Sequence, residues 1–360
     1  MASTFLMAGG GTGGHVIPGI AVAEELRRRG HRVLFAGTDR GIEAKLVPAA
    51  GFPLERIRIG GLKSVGVLRR LHTLGQLPIA TAAMWRFLGR EKVAAVFSMG
   101  GYAAGPPVLA ALLARIPVAV MEPNAYPGFT NRRIGRFVAR ALVSFPETAR
   151  HFPAGRTEQT GLPVREEFFR LPPRPREGAL TVLITGGSQG SRTLNRAARE
   201  SWPLFRESGM AVRFIHQTGP AGHAEIAAAF AQSGMAGEVA PFLPDMPAAF
   251  AQAGLVVCRS GAGAVAELAA AGRPSILVPF PFAADQHQLR NAEAFARAGA
   301  ARLVPDPEMS GERLFACVRE LVEKPGELER MAAAARSLAR PGAARRAADI
   351  LEEISIDRRA

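Results

Sequence analysis

Two stretches of this chain, half its length apart, follow one order: a short apolar run, a glycine-rich turn, then helical periodicity. The first is "TFLMAGGGTGGHVIPGIAVAEEL" from Thr4, and the second is "LTVLITGGSQGSRTLNRAARE" from Leu180. Another pair repeats more closely, "VAAVFSMGGYAAGPPVLAALLARIPVAVMEPN" (93–124) and "GLVVCRSGAGAVAELAAAGRPSILVPFPFAADQ" (254–286). Each reads strand, small-residue turn, alanine-rich helix, a basic residue and proline, then an apolar strand. Apolar runs alternating with helices predict parallel strands, because a parallel connection needs a crossover long enough to hold a helix. The doubling predicts two Rossmann-like α/β domains rather than one large sheet. The join is expected within "TGLPVREEFFRLPPRPREGA" (160–179), where prolines and charges interrupt the periodicity. The expected domains are 1–162 and 163–340, with 341–360 a C-terminal helix that returns to pack on the first.

With 360 residues, 48% of them apolar and 21% charged, the chain can bury two ordinary cores. Its two cysteines, Cys258 and Cys317, make neither a disulfide framework nor a metal knuckle, which fits a reducing, cytoplasmic compartment. The opening "MASTFLMA" lacks a basic leader, and "VLAALLARIPVAV" (108–120) is broken by Arg115 and Pro117, so no spanning helix is expected. The net charge is +14, and between Glu55 and Arg140 there are 13 Lys/Arg against 3 acidic residues. Such a field draws phosphates, whether on nucleic acid, an anionic bilayer or a small substrate. Aromatic residues do not interleave with the basic ones as a base-stacking platform requires, so nucleic acid is not expected as a partner.

Ligands of open α/β sheets bind beyond the carboxyl ends of the strands, where backbone amides and helix N-termini favour anions. Four turns here have that character, at 9–14, 100–105, 186–191 and 260–263, two in each half. They predict a cleft lined from both halves. Gly9, Gly11 and Gly14 have G-x-G-x-x-G spacing and Asp39 offers a carboxylate for a ribose, so a nicotinamide dehydrogenase is a candidate. Three consecutive glycines, a terminal His15 and a second phosphate-type turn weigh against it. His15 is either a polar neighbour of a helix cap or a general base on a sugar hydroxyl, kept neutral by the positive helix end. Ser188 and Ser260 are read as helix caps, and the Ser188 hydroxyl and neighbouring amides can also hold phosphate. Glu267 is either a solvated helix residue or an acceptor for ribose hydroxyls. Asp285, Gln286, His287, Gln288 and Asn291 crowd polar groups suited to sugar hydroxyls directly after an apolar strand. No spacing is that of a metal site.

Together, "GGGTGGHVIPGIAVAEEL", "GGYAAGPPVLAA", "TGLPVREEF", "GGSQGSRTLN" and "CRSGAGAVAELAAAGRPSILVPFPFAADQHQLRNA" resemble the MurG family of bacterial N-acetylglucosaminyltransferases, in order and over nearly the whole chain. The resemblance implies the GT-B fold, two Rossmann-like domains with parallel sheets facing across a cleft. It implies UDP-N-acetylglucosamine as donor and undecaprenyl-pyrophosphoryl-N-acetylmuramyl-pentapeptide, lipid I, as acceptor, with inversion at the anomeric carbon and no cofactor or metal. Carried over residue by residue, it makes His15 the catalytic base. Thr12, Gly13, Gly14 and Asn124 reach the donor from the first domain. Arg165 and Ser188 line the nucleotide, Leu243 meets the uracil through its backbone, Glu267 the ribose, and Gln288 the N-acetylglucosamine hydroxyls. The chain departs from the family's His-Glu-Gln-Asn at Met121 and Pro123, keeping Glu122 and Asn124.

The acceptor's tail implies docking on the cytoplasmic face of the membrane. Within 61–90, Leu68, Leu71, Leu74, Leu77, Ile79 and Trp85 are bordered by Lys63, Arg69, Arg70 and Arg86, the composition of an interfacial patch on anionic lipid. The same pattern also reads as a core-facing helix with a solvated basic face. The competing functions are a GT-B transferase acting on another lipid acceptor, such as diacylglycerol, and a non-catalytic α/β protein that binds nucleotide-sugar or nucleic acid.

Overall fold

The structure, a computed structural model, describes residues 2–10, 13–39, 41–60, 67–174 and 177–357, without the side chains of 67–74 and 357. The chain divides into two compact units, the first made of 1–164 with 342–360 and the second of 165–341.

In the first unit the strands are β1 (Thr4–Gly9), β2 (Arg32–Gly37), β3 (Leu54–Arg56), β4 (Val93–Gly100), β5 (Val118–Glu122), β6 (Arg140–Val143) and β7 (Thr157–Glu158). They pair in the order β3-β2-β1-β4-β5-β6-β7, every neighbour parallel. The second unit has β8 (Leu180–Thr185), β9 (Val212–Gln217), β10 (Ala236–Ala240), β11 (Leu255–Cys258), β12 (Ser275–Leu277) and β13 (Ala301–Leu303). Their order is β10-β9-β8-β11-β12-β13, again all parallel. Strands such as "FLMAG" and "VLIT" are apolar on both faces because helices cover both sides of a parallel sheet.

In both sheets the strand order reverses beside the first strand, between β1 and β4 and between β8 and β11. Such reversals leave a crevice at the carboxyl ends of those strands. The four glycine-rich turns follow these four strands, so each unit presents two of them at its own switch point. The repeat 93–124 and 254–286 accordingly fills the fourth and fifth strand positions of its sheet in each unit.

The first helix, Gly13–Arg28, buries Val16, Pro18, Val22, Ala23 and Leu26. Ile17, which the spacing also assigns to the apolar face, is instead exposed. The last helix, Ala343–Asp357, packs against Gly13–Arg28 and so belongs to the first unit. Its Asp349 and Glu352 each lie 2.7 Å from Arg29, Glu352 also meets His31 at 2.7 Å, and Arg346 grips Glu158 with two bonds of 2.7 and 2.8 Å.

Candidate active site

In the first unit the turn after β1 leads into helix Gly13–Arg28, with Gly13 and Gly14 opening it and half-buried His15 in its first turn. Thr12 lies outside the described residues. The turn after β4 packs against this segment. Gly101 has φ +80, and a Cβ there would stand 2.8 Å from the Gly10 carbonyl oxygen and 3.5 Å from His15 Nδ1. Any larger residue would therefore be strained in its backbone and collide with the first turn. The fold needs glycine here to bring the imidazole beside both turns.

Asn124 follows β5, whose last residue, Glu122, is buried. Glu122 Oε1 accepts from the Asn124 backbone N–H and Nδ2, both at 3.1 Å, and Oε2 accepts from the Gly128 N–H and Asn131 Nδ2, both at 2.9 Å. Burial pushes the Glu122 carboxyl up, and these donors pull it back. Asn131 also bonds the Met121 carbonyl at 3.0 Å, and Thr130 reaches the Gly101 carbonyl at 3.3 Å. One carboxylate thus folds the 122–131 loop, and Thr130 ties that loop to the turn beside His15. Met121 is fully buried and Pro123 is buried as well, so the two departures from the family pattern place apolar groups inside while Asn124 stays half-exposed.

In the second unit Ser188 is exposed on the turn after β8. It is not the helix cap that its position suggests. The helix starts at Arg192, and Ser191 caps it by accepting from the Leu194 N–H at 3.3 Å. Gly190 (φ +74) completes the turn only two residues after Ser188, so the helix begins later than the sequence pattern indicates. Ser260 is likewise not a cap. Gly261 precedes helix Ala262–Ala271, and the buried Ser260 hydroxyl donates to the Gln288 carbonyl at 2.8 Å. Asn291 returns a bond to the Ser260 carbonyl at 3.1 Å. The polar run after β12 is thereby fastened to the turn after β11. Gln288 accepts from the Phe280 N–H at 3.0 Å, and Asp285 and Gln286 both hold left-handed backbone, φ 52 and 54.

Glu267 lies in helix Ala262–Ala271. Part of its surface is open, yet the protein packed around its carboxyl withholds enough water to push it up to about 7, while Arg165 pulls it back. Arg165 itself is exposed, its guanidinium over the Phe168 ring at 5.1 Å. Leu243 gives its backbone N–H to Gln217 Oε1 at 2.9 Å. Gln217 Nε2 in turn donates to the Gly187 carbonyl at 2.9 Å.

Gln217 and Arg259 are not singled out by the sequence, and Glu122 is marked there only as a retained motif position. Arg259 donates to Ser191 Oγ at 2.7 Å and to the Val278 carbonyl at 3.0 Å, and it pairs with Asp306, so it fastens three loops at once. The available signal was position: Gln217 and Glu122 end apolar strands, and Arg259 directly follows one. Asp39, the carboxylate that a dehydrogenase would need, is exposed on its loop.

No group of three or more metal-binding side chains occurs among the described residues.

The Glycosyltransferase family 28 N-terminal domain matches residues 5–143, and the Glycosyltransferase family 28 C-terminal domain matches 181–354. A UDP-N-acetylglucosamine--N-acetylmuramyl-(pentapeptide) pyrophosphoryl-undecaprenol N-acetylglucosamine transferase of Solibacter usitatus is 66% identical over 98% of this chain and 97% of its own. The enzyme of the same name from Anaeromyxobacter sp. (strain Fw109-5) is 46% identical over 97% of this chain and 93% of its own. The crystal structure of Acinetobacter baumannii MurG superposes with a TM-score of 0.81 at 33% identity, covering 98% of this chain and 99% of that one. A Neisseria meningitidis UDP-GlcNAc 2-epimerase shares the fold at TM-score 0.68 and 15% identity, over 98% of this chain and 100% of that one. With both domain matches in register on two parallel sheets, the chain belongs to glycosyltransferase family 28 and, within it, to the MurG transferases of the GT-B fold.

Proposed function

We propose that this enzyme transfers N-acetylglucosamine from UDP-N-acetylglucosamine to the 4-hydroxyl of the muramoyl sugar of lipid I, giving lipid II for peptidoglycan synthesis. The observation that carries the reading is the 66% identity, over 98% of the chain, to a transferase whose name states donor and acceptor.

The roles follow the chemistry at each position. Arg165, Ser188 and the amides of the 186–191 turn hold the diphosphate. The Leu243 N–H is already given to Gln217, so a backbone contact to uracil uses the Leu243 carbonyl. Glu267 accepts the ribose hydroxyls, and Gln288 binds the sugar hydroxyls. From the first unit Gly13, Gly14, Thr12 and Asn124 complete the donor contacts. His15 takes the proton of the acceptor hydroxyl as its oxygen forms a bond to the anomeric carbon. The bond from that carbon to the diphosphate oxygen breaks on the opposite face, UDP leaves with the electron pair, and the configuration inverts. Aligned backbone amides and helix N-termini stabilise the charge growing on the leaving group.

The enzyme works as a peripheral protein on the cytoplasmic face of the cell membrane. Among the described residues no helix is long and apolar enough to cross a bilayer. Support for the surface contact comes from helix Val67–Arg90, where Ala80, Met84, Phe87 and Leu88 face the core while Ile79 is 74% and Trp85 54% exposed. A groove of about 850 Å³ beside Trp85 is lined by Leu113 together with Arg86, Arg90, Lys92 and Arg115. Apolar side chains rimmed by cations suit anionic lipid. Leu77 of that patch is half-buried, and Lys63, Leu68, Arg69, Arg70, Leu71 and Leu74 lie outside the described side chains.

The test supplies purified protein with UDP-N-acetylglucosamine and a lipid I analogue, and follows UDP together with the anomeric configuration of the product. A β-linked disaccharide is expected. UDP release without disaccharide, or transfer to diacylglycerol alone, contradicts the reading.

A further inference from the structure

We infer that Glu43 is a positioning residue for the glycine-rich turn that carries His15. Glu43 begins the short helix Glu43–Ala49 after β2, and it is 1% exposed. A glutamate at the start of a surface helix ordinarily points its carboxylate at water. This one turns inward. Its Oε1 accepts from the Thr38 backbone N–H at 3.0 Å and from the Thr38 hydroxyl at 2.7 Å.

Three glycines leave the room that it fills. A Cβ on Gly10 would stand 2.3 Å from Glu43 Oε1, one on Gly41 2.0 Å from Oε2, and one on Gly37 2.7 Å from Cγ. Gly10 is therefore held on two sides. The Glu43 carboxylate lies where its side chain would be, and Gly101, the neighbour of His15 Nδ1, stands against its carbonyl oxygen. Burying a carboxyl group is costly unless donors meet it, so its place is set by hydrogen bonds as well as by shape. The glycines at 10, 37 and 41 are thus required less for turn geometry than for admitting this side chain. The Gly10 backbone thus has a fixed wall at the Glu43 carboxylate. Catalysis is sensitive to misplacement of the base by about 1 Å, and losing that wall frees the turn to move.

Glu43 touches neither donor nor acceptor in this account, and its effect on turnover rests on the proposal that His15 is the base. The experiment therefore reads the turn directly as well as the rate. Amide hydrogen exchange is measured for wild type, Glu43→Ala and Glu43→Gln, in peptides that carry Gly10 and His15 and in control peptides from β8 and β9. Steady-state kinetics are measured for the same proteins, for His15→Ala and for the His15→Ala, Glu43→Ala double variant. Exchange in the Gly10–His15 peptides is expected to rise about tenfold in Glu43→Ala and not in the controls. kcat falls about 10- to 100-fold with the KM for UDP-N-acetylglucosamine within about threefold, and the double variant is no slower than His15→Ala alone. Glu43→Gln, whose amide oxygen keeps both Thr38 bonds, restores exchange and most of kcat.

Unchanged exchange in Glu43→Ala overturns the inference, as does a Gln variant that behaves like Ala. If exchange rises locally while His15→Ala keeps full turnover, the base assignment falls and the placement of the turn by Glu43 stands.

Discussion

His15 lies in the first turn of its helix. If His15 is the general base proposed above, it supplies a factor of about 10² to 10⁴, so His15→Ala lowers kcat by that much while calorimetric affinity for UDP-N-acetylglucosamine stays within about twofold. Full turnover in that variant removes the role. Glu267 titrates at about 7 instead of the ordinary 4.5. If, as proposed, ribose hydroxyls donate to the ionised form, donor affinity weakens as pH falls below that value, approaching tenfold per unit. Calorimetry at pH 6 and pH 8 shows the slope, which Glu267→Gln flattens. The same shift acts on the unliganded fold with the opposite sense. A carboxyl raised in the native state favours folding most below 4.5 and loses that contribution as pH rises through 7. A donor affinity independent of pH in the wild type contradicts the ribose assignment.

Among the elements, the repeated segments 93–124 and 254–286 carry equivalent arginines with different fates. Arg115 is exposed beside the groove, whereas Arg273 is fully buried. Arg273 donates to the carbonyls of Phe250 at 2.7 Å, Pro172 at 3.0 Å and Ala271 at 3.1 Å, and burial lowers its pKa to about 10. It joins carbonyls from separate segments, and Arg336 shares the Ala271 carbonyl at 3.2 Å. Arg273→Met keeps the volume and leaves those carbonyls buried without it, a loss of about 3 kcal/mol in urea unfolding of the whole chain. A midpoint equal to wild type refutes that accounting. Legibility follows the same division. The strand–turn–helix order, the sheet class and the four turns were readable because local periodicity writes them. Ser191 rather than Ser188 as the cap, Gly261 rather than Ser260, and the exposure of Ile17 were not, since each depends on where a helix begins or which way it rolls on its sheet. Gln217 and Arg259 were hidden for a related reason: each acts by joining loops far apart in sequence. Motifs brought the candidate residues forward, but the hydrogen bonds that hold them come from topology.

For the whole molecule, the uneven charge of the sequence has a structural counterpart. The segment from Glu55 to Arg140, with its 13 cations, lies in the first unit, together with the exposed Ile79 and Trp85. If this face meets lipid, replacing both Ile79 and Trp85 by Ser lowers affinity for anionic vesicles about tenfold or more in a sedimentation assay, because two apolar anchors are lost. Turnover of a water-soluble acceptor analogue stays at the wild-type level. Vesicle binding unaffected by the double change would remove the face from membrane contact. The course of the chain has a separate consequence. Helix Ala343–Asp357 buries Ala347, Ala348, Ile350 and Leu351 completely within the first unit, yet the second unit is translated before it. On the ribosome, then, the portion made first cannot finish folding first. It must wait, with the helix Gly13–Arg28 uncovered, while the middle of the chain is synthesised and settles. The nascent first half is the stage at which chaperones would find the most to hold.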